Sequence, residues 1–115
     1  MPPRNNPLKL NPLQLRTLTL LQAIARIPGA AGMNDKGEAS ISQFPSAHGD
    51  HFHLGDAVVG AKDATGLYNE SVWHALERKG LARADYPRQI VLTVEGLGYD
   101  TGALARAILH LGGGH

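Results

Sequence analysis

The segment HGDHFH brings His48, Asp50, His51 and His53 close together along the chain. Imidazole nitrogen and carboxylate oxygen are ligands for zinc, nickel and copper, and on an extended strand His51 and His53 point to one side. These four residues are the candidate metal ligands. A complete site also draws a ligand from elsewhere and a layer of hydrogen-bond partners that orient the imidazoles, and neither is legible here. A solvated histidine loop explains the same residues, so no cofactor is expected. Ser71 and His74 are one helical turn apart, a spacing common by chance. The glycine-rich pieces GLGYDTG and GGG lack the strand-to-helix context and spacing of a dinucleotide or phosphate loop. With no cysteine, a thiol nucleophile and a thiolate-held metal are excluded. The chain is expected not to be an enzyme.

The elements that must position any site follow from periodicity and punctuation. In NPLQLRTLTLLQAIARIPG, Asn11 suits a cap, Pro12 the first helical position and Gln14 the capping-box partner, while Pro28 and Gly29 end the helix. Its inward stripe reads Leu13, Thr17, Leu20, Leu21, Ile24 and Ile27, leaving Leu15 and Leu18 as surface residues or as a dimer seam. Two β-prone pieces, SISQF and HFHL, suggest a small hairpin over the PSAHGD turn. Ala57, Val58, Ala61 and Ala64 in GDAVVGAKDATGL fall at helical spacing, with Asp56 as a cap, and predict a short second helix.

Asn69 then caps a third helix from Glu70 to about Lys79, closed by Gly80. Val72, Ala75 and Leu76 face inward, and Glu70, Ser71, His74, Glu77 and Arg78 face outward. LARAD and RQIVLTV form a hairpin about Tyr86 and Pro87, with Ile90, Leu92 and Val94 on one face. Trp73 is expected in the core between helix and hairpin. Leu97, Leu104, Ile108 and Leu111 trace a closing amphipathic helix with a glycine-loosened start.

The bulk numbers describe an ordinary globular chain. Its 115 residues suit one domain, and 43% hydrophobic with 18% charged residues is neither a disordered nor a membrane composition. The expected layout is a flexible arm over residues 1–10, a folded body over 11–112 and a tail over 113–115. Arg16, Gln22 and Arg26 interrupt the leucine-rich stretch at helical spacing, so no membrane segment and a cytoplasmic location are expected. A net charge of +1 does not by itself announce nucleic acid.

The order of helices followed by a hairpin and a closing helix carries a family likeness. TGLYNESVWHALERKGLARADYPRQIVLTVEG resembles the core of winged helix-turn-helix regulators of the MarR and PadR type. The shared features are Gly66 and Leu67 in the turn, Ser71-Val72 opening the helix, the ALERKGLA exit and LTVEG after the last wing strand. The likeness covers about half the chain, from roughly Leu54 onward. It implies an α+β winged helix with a three-helix core, a β-hairpin wing near residues 82–94 and a closing C-terminal helix.

The implied function is regulation of transcription, with the helix near residues 70–79 in the major groove of double-stranded DNA. Carried over by position, Asn69, Ser71, His74 and Arg78 would face bases, with Arg83, Arg88, Lys62 and Lys79 as phosphate contacts. A homodimer through the first and last helices is implied, and an effector remains unidentified. Glu70 and Glu77 repel phosphate on the same face, so a winged-helix adaptor that binds another protein is the competing reading.

Overall fold

A computed structural model describes residues 6–44, 49–102 and 104–111. Helix α1 spans Pro12–Ala25 and begins as its sequence dictates. The Asn11 carboxamide accepts from the Gln14 backbone N–H at 2.8 Å, and the Gln14 side chain accepts from the Asn11 N–H at 3.0 Å. Strands β1 (Gly32–Met33) and β2 (Ala39–Ile41) follow, then β3 (His51–Leu54) and β4 (Ala57–Gly60). Two 3-10 turns, Ala61–Asp63 and Thr65–Tyr68, lead into helix α2 (Glu70–Arg78). Strands β5 (Ala82–Asp85) and β6 (Gln89–Leu92), helices α3 (Val94–Gly98) and α4 (Leu104–Ile108), and strand β7 (His110–Leu111) complete the chain.

The strands form two antiparallel sheets, β1-β2-β6-β5 and β3-β4-β7. In the larger sheet Ala39 pairs with Leu92 and Ile41 with Ile90, which puts Ile41, Ile90 and Leu92 in the core. The architecture is thus mixed α+β. Among the described residues no helix is long and apolar enough to cross a membrane.

Helix α1 contradicts the expected one-sided stripe. Leu15 and Leu18 are buried with Leu20, Leu21 and Ile24, so the helix is enclosed round most of its circumference. The surplus leucines offered as a dimer seam are therefore inside the protomer. Its buried threonines and Gln22 are satisfied internally, whereas the buried Nε of Arg16 has no partner among the described residues. Thr17 and Thr19 donate to the carbonyls of Leu13 and Leu15 at 2.8 and 2.7 Å, and Gln22 donates to those of Gly96 and Tyr99 at 2.9 and 3.0 Å.

The expected second helix over residues 57–64 is replaced by a strand and one 3-10 turn. Gly55 at φ 59° and Asp56 make a two-residue turn that brings Leu54 opposite Ala57, and the β-branched Val58 and Val59 favour the strand it creates. The three-helix core foreseen for the fold is therefore absent in that form. HFHL also pairs with this strand and not with SISQF, whose described partners are β1 and β6. Residues 45–48 of the foreseen hairpin turn lie outside the described residues.

The closing helix is likewise broken in two. Gly102 adopts φ 68° and its N–H bonds to the Asp100 carboxylate at 2.8 Å, a local turn that competes with continued helix. Val94, expected inward, is 54% exposed, because Thr93 leaves the strand to cap α3 by accepting from the Gly96 N–H. Residues 6–10 are tied to the body: Lys79 donates to the Leu8 carbonyl at 2.9 Å, and the Leu8 N–H bonds to the Tyr99 hydroxyl at 3.1 Å.

Helix α3 is pressed against the α2–β5 junction at Gly96. A Cβ there would stand 2.0 Å from the Leu81 carbonyl oxygen, whereas one on Gly98 would meet nothing within 4 Å. Gly96→Ala is expected to destabilise the protein by about 1–3 kcal/mol, the cost of forced overpacking. Gly98→Ala is expected to be neutral or to stabilise by up to about 1 kcal/mol. Urea unfolding of both variants beside the parent checks the contrast.

Candidate nucleic-acid interface

Helix α2 is fixed at both ends by local chemistry. The Asn69 side-chain oxygen accepts from the Ser71 and Val72 N–H groups at 3.0 and 3.4 Å, so this residue caps the helix and its carbonyl faces its own backbone. At the other end Gly80, at φ 77°, lets its N–H reach the Glu77 carbonyl and that of Leu81 reach Leu76, each at 3.0 Å. The Thr93 hydroxyl then donates to the Gly80 carbonyl at 2.8 Å, and its N–H to that of Leu81 at 3.1 Å. Helix and hairpin are one bonded unit.

Trp73 is the packing pivot of that unit. It is 1% exposed, and its indole N–H donates to the Leu67 carbonyl at 3.1 Å. Tyr86, at the hairpin turn, meets its ring edge-on with centroids 4.8 Å apart, and Phe44 packs at 5.4 Å. The Tyr86 hydroxyl donates to the Tyr68 carbonyl at 2.9 Å, tying the hairpin tip to the turn that precedes α2. Phe44 and Tyr86 are positioning residues that the sequence did not single out as such.

The outer face of α2 presents Glu70, Ser71, His74, Glu77 and Arg78. His74 is held between two carboxylates, with Nε2 3.1 Å from Glu70 and Nδ1 3.4 Å from Glu77. Those hydrogen bonds, the one to Glu70 foremost, raise its pKa above the ordinary 6.5. Arg78 and Ser71 are exposed and make no side-chain hydrogen bond among the described residues.

The cations foreseen as phosphate contacts divide by what holds them. Arg83 grips Glu38 through two bonds of 2.7 and 2.8 Å, and the Glu38 side chain is only 10% exposed. Arg88 is paired with Asp85 at 2.5 Å, but both side chains are open to solvent, a kind of pair worth at most about 1 kcal/mol. Lys79 is engaged by the Leu8 carbonyl. Lys62 is exposed in the first 3-10 turn and makes no hydrogen bond among the described residues. Glu38 was missed by sequence reasoning, since it lies 45 positions from Arg83 with no local signal to join them.

Of the metal-ligand candidates, His48 lies outside the described residues. His51 and His53 come together on β3, with Asp50 beside His51. Among the described residues no group of three or more histidine or acidic side chains is arranged to hold a metal ion.

Fold and face together define a mixed α+β protein that presents a rigid helix–hairpin unit with an outward polar face. Comparisons with protein-family models, with curated proteins and with solved structures find no match for this chain.

The Glu38–Arg83 pair has a readable pH signature. Hydrogen bonds from Arg83, then from Asn34, lower the Glu38 pKa from 4.5 to about 2. The stability it contributes is therefore complete above 4.5 and is lost as pH falls through about 2. Arg83→Ala is expected to move the Glu38 midpoint upward, away from about 2, and to advance acid unfolding to higher pH. Carboxyl-carbon NMR titration and acid unfolding of the variant check this.

Proposed function

We propose that this chain is a winged-helix DNA-binding regulator in which α2 enters the major groove and the β5–β6 hairpin acts as the wing. The observation that carries the reading is the rigid junction between the two: α2 ends at Gly80 and its cap bonds directly to the sheet through Leu81 and Thr93. A preorganised helix with an exposed face of Ser71, His74 and Arg78 beside a basic hairpin is what groove docking requires.

The charges set the expected strength. Arg83 is committed to Glu38, whereas Arg88 exchanges its exposed partner for a phosphate at little cost. Arg78, Arg88 and Lys62 then leave two or three phosphate contacts, which corresponds to a salt slope of about −2 to −3. Binding is thus shallow in salt and modest in affinity.

His74 supplies the pH dependence. Below its raised pKa its charge offsets one of the two flanking carboxylates, and above it the face carries the full charge of Glu70 and Glu77. DNA affinity is expected to fall as pH rises through that value. Mobility-shift and filter-binding titrations on genomic fragments, repeated across salt and pH, test the reading. Arg78→Ala is expected to weaken binding by about tenfold, and the double change Glu70→Gln with Glu77→Gln to strengthen it and flatten its pH dependence. Absence of binding to any fragment at low salt overturns the proposal.

The second reading is a winged-helix adaptor for another protein. It is favoured by the commitment of Arg83 to its own Glu38 and by the acidic frame around His74, which together remove a continuous basic stripe.

A further inference from the structure

We propose that His51 and His53 form a zinc-binding pair on the exposed face of the β3–β4 hairpin. Residues two apart on a strand share a face, and here the Nε2 atoms of the two rings approach to 3.2 Å. A zinc ion held about 2.0–2.1 Å from each nitrogen at that separation subtends an N–Zn–N angle of roughly 100–105°, close to tetrahedral. Copper(II) and nickel(II) in square-planar surroundings ask for about 90°, so the spacing favours zinc.

The two Nε2 atoms make an imidazole–imidazole hydrogen bond, and the ring orientation shows that it is bent. Rings joined head to head by a linear N–H···N contact at this nitrogen separation would hold their centroids about 5.5 Å apart. The centroids are 4.9 Å apart, so at least one ring axis is inclined to the N···N line, an inclination that two imidazoles sharing one ion also require. The rings cross at 80°, which keeps their edges from colliding as the nitrogens converge.

The surroundings favour a dication. Asp50 places a carboxylate oxygen 3.5 Å from His51 Nδ1, where an Nδ1–H donor to the carboxylate leaves the Nε2 lone pair for the metal. Opposite His51 stands Gly60, and the Asp63 carboxylate overhangs that position, 3.8 Å from where a Cβ would be, beside the aliphatic stem of Lys62. Two imidazoles supply two of the ligands of a zinc coordination shell. The pair lies on the β3–β4–β7 sheet, apart from the sheet that carries the wing, and the proposal stands independently of DNA binding.

The test is titration of zinc chloride into the full chain without a polyhistidine tag, followed by calorimetry and by the imidazole nitrogen resonances. One bound zinc per chain at micromolar metal is expected, with Nε2 shifts at His51 and His53. His51→Ala and His53→Ala should each weaken binding tenfold or more, while unfolding curves stay close to the parent, because His53 is exposed and His51 is only partly buried. His53→Gln, which keeps polarity and much of the size, should weaken binding equally. Unchanged Nε2 resonances with excess zinc, or zinc binding that persists in the double alanine variant, overturns the proposal.

Discussion

Enclosure of α1 on nearly all sides is the constraint from which the rest of the fold takes its positions. Leu18, Leu20 and Leu21 have no exposed surface, and α2, α3, α4, β2 and the second 3-10 turn all pack on this helix. The closeness of that packing is visible at Gly66, where a Cβ would stand 1.8 Å from the Thr17 hydroxyl oxygen. Only glycine allows the turn to approach so far, and the turn in turn delivers Asn69 to the start of α2. Gly96 repeats the device at the opposite end, against Leu81. The orientation of α2 is thus set at both ends by backbone packed where side chains would not fit.

Burial also ranks the charges. Arg83 and Arg88 look alike in sequence, both flanking one hairpin turn, yet their partners differ in exposure by a factor that decides their availability. Breaking the Arg83 pair strands a carboxylate with little access to water, a costly event, whereas Asp85 is rehydrated as soon as Arg88 leaves. Asn34 reinforces the first pair by donating to Glu38 at 2.9 Å. The β5–β6 hairpin is therefore anchored on one side and electrostatically adjustable on the other.

Legibility in the sequence followed the range of the interactions. The caps of α1 and α2, the glycine stop at Gly80 and the hairpin about Tyr86 and Pro87 are set by residues within a few positions of one another and were readable, and the burial of Trp73 was readable from its bulk and its place on the helix flank. The errors arose where a helical spacing of small residues competed with a turn signal. Ala57, Val58, Ala61 and Ala64 fit helical periodicity, but Gly55-Asp56 closes a hairpin first and the chain never returns to helix there. Leu15 and Leu18 misled for a different reason: periodicity finds one buried face, and a helix buried all round has no polar face to contrast with it. The partners Glu38 and Arg83 were illegible because only the register of β2 on β6 and of β5 on β6 brings them together.

Local bonding fixes the backbone beneath the outer face of α2, which is ordered by its cap, its glycine stop and Trp73. The side chains on that face stay adjustable, because the contacts of His74 with Glu70 and Glu77 are open to solvent and, like other exposed pairs, contribute little. With neutral imidazole the face of Glu70, His74, Glu77 and Arg78 carries one net negative charge, and with imidazolium it is balanced. Protonation of one side chain therefore removes the net negative charge of this face, and its loss restores it, so the charge of the α2 outer face is set by His74.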